Sequence, residues 1–148
     1  MFVKNSSAQV LKANMRVVGN CEYALILYRE KLPKFNNNGK MVFNAINWED
    51  DYKSEKIHPT QKPVRLIEKL ISIFTDVGDV VIDPCAGSAS TLIAAKNLGR
   101  NSYGFEIKKD FFNAAILRIN KESANQRLFL DEKPQYIKTQ QDMLQNIL

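Results

Sequence analysis

The stretch Gly78–Glu106, GDVVIDPCAGSASTLIAAKNLGRNSYGFE, constrains this 148-residue chain more than any other part of it. The apolar run Val80, Val81, Ile82 predicts a buried strand, the small residues from Cys85 to Ser90 a turn, Thr91 to Leu98 a helix and Ser102 to Glu106 a second strand. Together they make one β-α-β unit. Gly87 and its small neighbours let a ligand approach the backbone and the N–H groups that open the helix. Glu106 follows Gly87 by 19 positions, the interval at which a doubly wound unit places a carboxylate to accept hydrogen bonds from ribose hydroxyls. The implied ligand carries a nucleoside.

The turn also says which nucleoside. A dinucleotide site needs G-x-G-x-x-G to seat a pyrophosphate, whereas this turn offers one glycine and an aspartate, Asp83, at its entrance. A carboxylate there repels phosphate and attracts an ammonium group. S-adenosylmethionine combines the two requirements, a ribose for Glu106 and a methionine amino group near Asp83. On spacing alone a second reading stands beside it: Asp83 caps the following turn, and Glu106 is a surface acid at a strand end.

Length fits one domain with a useful core, and 45% hydrophobic with 25% charged residues is ordinary for a soluble globular protein. No apolar run reaches membrane-spanning length and the first twelve residues lack the layout of a secretion signal, so a cytoplasmic protein with no membrane partner is expected. Cys21 and Cys85, each in a predicted buried strand or strand end, are expected as free thiols. The net charge of +5 is concentrated: residues 1 to 40 carry seven Lys or Arg against Glu22 and Glu30, and the rest of the chain is balanced. A basic segment joined to a neutral nucleotide-binding core suits a protein facing DNA phosphates, although a solvated face has the same signature. His58 is the only histidine, which removes a Ser-His-Asp arrangement of obvious order and paired-histidine or Cys/His metal sites; no metal is expected.

Along the chain, residues 1 to 20 show no helical period and read as loop or irregular strand. CEYALILY, Cys21 to Tyr28, predicts a central strand covered on both faces, with Glu22 the exception. Asn37, Asn38 and Gly39 predict a tight turn within a polar segment that runs to Ile57. A helix from Pro63 to about Phe74 puts Leu66, Ile67, Leu70, Ile71 and Phe74 on one face, and Asp110 to Asn120 forms another with Phe111, Ala115 and Ile119. A short strand at Leu128–Leu130 and a helix opening at Pro134 complete the prediction.

VIDPCAGSAST, the GFE that ends at Glu106, and HPTQKP at His58 to Pro63 together resemble the β-group of amino-methylating DNA methyltransferases, which make N6-methyladenine or N4-methylcytosine. The cofactor loop of that family reads D-P-F-x-G-S-G-T; Asp83, Pro84, Gly87 and Ser88 match it, while Cys85, Ala89 and Ser90 replace Phe, Gly and Thr. The resemblance implies an α/β, Rossmann-like S-adenosylmethionine-dependent methyltransferase fold. It assigns cofactor binding to Thr60, Gln61, Lys62, Asp83, Cys85, Gly87, Ser88, Ala89, Ser90 and Glu106, with Lys62 near the methionine carboxylate. The family's DNA-reading insert falls on residues 31 to 57, which nominates Lys31, Lys34, Asn36 and Lys40 for contact with double-stranded DNA.

Members of this family do their chemistry with an Asp-, Asn- or Ser-Pro-Pro-aromatic tetrapeptide that orients the exocyclic amine of a flipped base and stacks on it. The five prolines here, at 33, 59, 63, 84 and 134, are never adjacent. In the β-group the catalytic half precedes the cofactor half, so the chain resembles a C-terminal part with an incomplete sheet: residues 1–57 a basic segment, strand and short DNA-facing insert, 58–120 the cofactor unit, 121–148 an extension. The expectation is a cofactor-binding part that needs a separate catalytic half, from a partner chain, for methyl transfer; a homodimer contact is the other partner considered. The alternative is an inactive remnant or a regulatory DNA-binding module.

Overall fold

A computed structural model describes residues 1–4, 9–12, 17–48 and 55–131. The elements in order are β1 (Phe2–Val3), β2 (Gln9–Lys12), β3 (Val17–Gly19), β4 (Cys21–Glu22), β5 (Ile46–Asn47), α1 (Val64–Phe74), β6 (Val80–Asp83), α2 (Ser90–Asn97), β7 (Asn101–Gly104) and α3 (Lys109–Asp131).

The predicted β-α-β unit is present as β6, α2 and β7. The two strands run parallel in register from Val80 against Asn101 to Asp83 against Gly104. Helix α1 packs on α2 through the predicted apolar face: Leu66 and Ile71 are buried, and Ile71, Ala94 and Ala95 form the core with Val64, Ile67, Val81 and Leu98 around it. Pro63 precedes the first turn, where its missing N–H costs nothing. Gly104 has a steric reason: a Cβ there would lie 2.7 and 2.9 Å from the methyls of Leu92, so its absence lets α2 settle onto β7.

Three expectations are corrected. Val80 and Ile82 were expected buried, yet they are 54% and 63% exposed, because Val81 faces the helices and its neighbours, one residue away on a pleated strand, face outward. Tyr103, paired with Ile82, is exposed as well, as is Phe105 just past the end of β7. The central strand expected over Cys21–Tyr28 is only Cys21–Glu22, paired antiparallel with β1, while Leu25 and Leu27 are more than four-fifths exposed. Its apolar pattern suits a strand covered on both faces, but a strand also needs a neighbouring backbone, and among the described residues 23–28 join no ladder. Leu128–Leu130 continues α3, since no Gly or Pro interrupts the helix after Asn120 before Asp131. The helix expected from Pro134 lies outside the described residues.

Residues 1–20 contain short strands, with β1 flanked by antiparallel β4 and parallel β5, and β2 paired with β3. The turn at 37–39 forms, with Asn38 and Gly39 left-handed and the Asn37 side chain accepting from the Gly39 N–H, but no strands flank it. The segment is fastened to the end of α1 by Phe35 edge-on against Phe74 at 5.8 Å and by the Asn36 N–H donating to the Ile73 carbonyl at 2.7 Å. Both cysteines are free thiols; Cys85 is exposed, since it lies on the turn beyond the strand end. No helix among the described residues is long and apolar enough to cross a membrane.

Candidate cofactor site

The site lies at the carboxyl ends of β6 and β7, where parallel α/β sheets present their loops. The turn after β6 is laced to the chain after β7: Phe105 N–H donates to the Asp83 carbonyl at 2.9 Å and Ala86 N–H donates to the Phe105 carbonyl at 2.8 Å. Asp83 and Glu106 therefore sit on one rim.

Each carboxylate is already oriented. Asp83 Oδ1 accepts from Cys85 N–H at 3.0 Å, the turn-capping role read as the second option above. Glu106 Oε2 accepts from Gly87 N–H at 2.9 Å and its Oε1 from Lys108 N–H at 2.8 Å. The Lys108 amide, together with the Gly87 amide, the charge of nearby His58 and the Ile107 amide, outweighs the opposing effect of burial and holds the Glu106 carboxyl below its ordinary range. The 19-residue interval is thus a direct contact between the turn and the acid.

Gly87, Ser88, Ala89 and Ser90 are all buried. Gly87 (φ +52) and Ala89 (φ 61) are left-handed, and Ala89, at the N-cap of α2, is 1% exposed. Alanine in this conformation is strained by about 1–2 kcal/mol, so the surroundings must hold it there. Arg118, 8% exposed on α3, supplies that support: its Nη1 donates to the Ser88 carbonyl at 2.9 Å and to Ser90 Oγ at 3.0 Å. Ser90 Oγ in turn donates to the Lys62 carbonyl at 2.7 Å, with Ser88 Oγ 3.2 Å away.

The His58–Pro63 loop closes over the turn. The His58 ring lies 3.5 Å from where a Gly87 Cβ would stand and packs edge-on against Phe111 at 4.3 Å. Thr60 N–H and Oγ1 approach His58 Nδ1 at 3.2 and 3.1 Å. The Gln61 amide ties back the preceding segment, accepting from Ile57 N–H and donating to the Glu55 carbonyl. Lys62 reaches away from the turn to Glu22, whose other oxygen holds Lys4, and the Trp48 ring lies beside both ammonium groups. Burial raises the Glu22 pKa, but hydrogen bonds and charge from the two lysines outweigh it and leave it lowered.

Of the nominated residues, the structure gathers Asp83, Gly87, Ser88, Ala89, Ser90 and Glu106 around one turn, with Thr60 and Gln61 in the loop above it and Cys85 on its exposed side; Lys62 touches the turn through its carbonyl alone, its ammonium being directed to Glu22. The DNA-facing set divides. Lys31 and Lys40 are exposed, whereas Lys34 bridges Asp76 and Asp79 at 2.7 and 3.1 Å and the Asn36 amide donates to the Thr75 carbonyl and Asp76. Those two residues fasten the basic segment to α1. Sequence reasoning gave no role to His58 beyond exclusion and none to Arg118; a signal for the latter was a charge at the position three beyond Ala115 on the buried stripe of α3.

A β-α-β unit with an acid clasping the first glycine turn, and no second or third glycine for a pyrophosphate, defines a nucleoside-binding Rossmann-like domain of the methyltransferase kind. The chain belongs to the DNA methylase family, whose model matches residues 2–117. It is 37% identical over 97 residues to the type II methyltransferase M2.LlaDCHI of Lactococcus lactis subsp. cremoris, covering 64% of this chain and 36% of that protein. With the type II methyltransferase M2.DpnII of Streptococcus pneumoniae it shares 36% identity over 99 residues, or 65% and 37% of the two chains. The matches thus span little more than a third of these relatives' length. Among solved structures, M1.HpyAVI in complex with S-adenosylmethionine superposes with a TM-score of 0.68 at 34% identity, over 80% of this chain and 59% of that one. The PvuII cytosine-N4-specific DNA methyltransferase, at 22% identity and a TM-score of 0.53, shares the fold.

Proposed function

We propose that this chain is the S-adenosylmethionine-binding part of a site-specific DNA methyltransferase acting on adenine N6 or cytosine N4, and that a separate catalytic half completes it. The observation that carries the reading is the Glu106 carboxylate. Two backbone N–H groups fix it at the rim of the turn, it stays ionised, and its remaining lone pairs are available to ribose hydroxyls.

The residues present fit this cofactor. Gly87 holds its left-handed conformation without strain beneath the His58 ring, and the turn's own residues, Asp83 to Ser90, include no Lys or Arg that would call for a phosphate. Glu106 would hold the ribose, the free oxygen of Asp83 the methionine ammonium, Lys62 the methionine carboxylate, and the turn from Cys85 to Ser90 would lie along the nucleoside. When bound, the cofactor supplies an electrophilic methyl group; this chain's part is to hold it in one orientation and to keep the turn from collapsing. Lys31 and Lys40 carry the proposed contact with DNA phosphates, and Lys34 and Asn36 place the segment that bears them.

Calorimetry tests the reading. The chain should bind S-adenosylmethionine, and Glu106→Ala should abolish measurable heat. Mixed with a polypeptide that carries a Pro-Pro-aromatic tetrapeptide, it should transfer radioactive methyl groups to DNA. Absence of cofactor binding by the wild-type chain would instead favour an inactive remnant or a regulatory DNA-binding module, a reading motivated by the missing tetrapeptide.

A further inference from the structure

The turn between β6 and α2 is gripped twice. At the rim, Glu106 Oε2 accepts from the Gly87 N–H at 2.9 Å. From within the protein, a single nitrogen of Arg118, Nη1, donates to the Ser88 carbonyl at 2.9 Å and to Ser90 Oγ at 3.0 Å. Between the two grips sits Ala89, left-handed and buried. The hold extends beyond the turn. Ser90 Oγ accepts from Arg118 and gives its one proton to the Lys62 carbonyl, so α3, the turn and the His58–Pro63 loop meet at one hydroxyl. Phe111, Ala115 and Arg118 share a face of α3, and Phe111 meets the same loop through the His58 ring. Withdrawing a guanidinium from water is costly, and an apolar side chain would fill this place at less cost. What an apolar side chain lacks is the pair of donors.

We propose that Arg118 is a positioning residue for the cofactor: by holding Ala89 left-handed it keeps the Gly87 N–H on Glu106, and so keeps that carboxylate oriented for the ribose. The inference rests on the cofactor reading above and deepens it. Left-handed alanine is disfavoured, so a turn released from Arg118 relaxes toward the right-handed backbone. Ala94 and Ala95 anchor α2 in the core, and the relaxation therefore displaces the other side of Ala89, where Gly87 and Ser88 lie. The Gly87 N–H leaves Glu106, and the acid loses one of the two amides that orient it. Arg118 acts through the turn and not by contact with the ligand.

The test is calorimetry with S-adenosylhomocysteine on the full chain, at a temperature where far-UV circular dichroism shows every variant folded. Arg118→Met should weaken binding by roughly five- to thirtyfold, because only a minor share of molecules keeps the competent turn once the strain of one left-handed alanine is unopposed. Glycine holds the left-handed backbone without strain. In an Ala89→Gly background the same Arg118→Met change should therefore weaken binding by no more than about threefold, and Ala89→Gly alone should bind within about threefold of wild type. A merely structural arginine would lower the urea midpoint and leave the affinity of the folded chain unchanged. Unchanged affinity in Arg118→Met, or an equal loss with and without Ala89→Gly, would overturn the inference. If Arg118→Met does not fold, the same pair of backgrounds is compared with Arg118→Lys, which keeps the charge but stops one bond short of the two acceptors, and the same outcomes decide. Failure of the underlying reading looks different: the wild-type chain does not bind S-adenosylhomocysteine, or Glu106→Ala binds it as well as wild type does, and in either case this inference falls with it.

Discussion

Replacing Gly104 by alanine tests whether α2 is seated on β7 as tightly as the geometry requires. The added methyl would lie 2.7 and 2.9 Å from the two methyls of Leu92 and 3.1 Å from the Ala86 Cβ, against ordinary contact beyond 3.4 Å. Leu92 can give by leaving its rotamer, which costs about 0.5–1.5 kcal/mol. Ala86 cannot, because its N–H is bonded to the Phe105 carbonyl and its Cβ moves only with the backbone. The sum falls within the usual range for overpacking, about 1–3 kcal/mol. Urea denaturation followed by far-UV circular dichroism should show this loss as a lower midpoint with an unchanged slope. The explanation makes a sharper demand. In a Leu92→Ala background the obstructing methyls are gone and only the 3.1 Å approach to the Ala86 Cβ remains, so Gly104→Ala should cost less there by roughly 1 kcal/mol, the coupling between the two sites. An equal cost in both backgrounds would refute the steric account.

Arg118→Met keeps an apolar stem but strips the Ser88 carbonyl of its donor, and should cost about 1–3 kcal/mol in the same assay. At Ala89, relief of left-handed strain by glycine is opposed by the loss of a buried methyl, worth about 0.8 kcal/mol, and by the greater backbone entropy of glycine; Ala89→Gly should leave stability within about 1 kcal/mol of wild type, whereas the β-branched Ala89→Val should lose more than about 2 kcal/mol. The lowered pKa of Glu22 gives the pH dependence a direction. Its contribution to stability is present above the ordinary value of 4.5 and is lost as pH falls through the lower folded value. Fluorescence of Trp48, the only tryptophan, should therefore hold steady from pH 7 through 4.5 and change below it, and Glu22→Gln should remove that step.

The cofactor unit was legible because each of its signals is local. Period 3.6 placed α1 within a residue, a strand pattern and a glycine turn placed β6, and the interval from Gly87 to Glu106 turned out to be a hydrogen bond. What escaped depends on partners distant in sequence. Cys21–Tyr28 has the composition of a covered strand whether or not another backbone lies beside it. Val80 and Ile82 look like Val81 until the helices are known to occupy one face alone. Lys34 and Asn36 offered donors that sequence could assign to DNA; the acceptors they found are Asp76, Asp79 and the Thr75 carbonyl, some forty positions on.

Those long spans bear on the order in which the chain assembles. The bridges from Lys34 to Asp79 and from Lys62 to Glu22 join positions 45 and 40 apart, while β6, α2 and β7 close over much shorter stretches. Loop closure favours the shorter stretches first, so residues 1–48, although synthesised earliest, have to wait for α1 and β6 before they can dock. In refolding, the tryptophan signal should lag the appearance of helix.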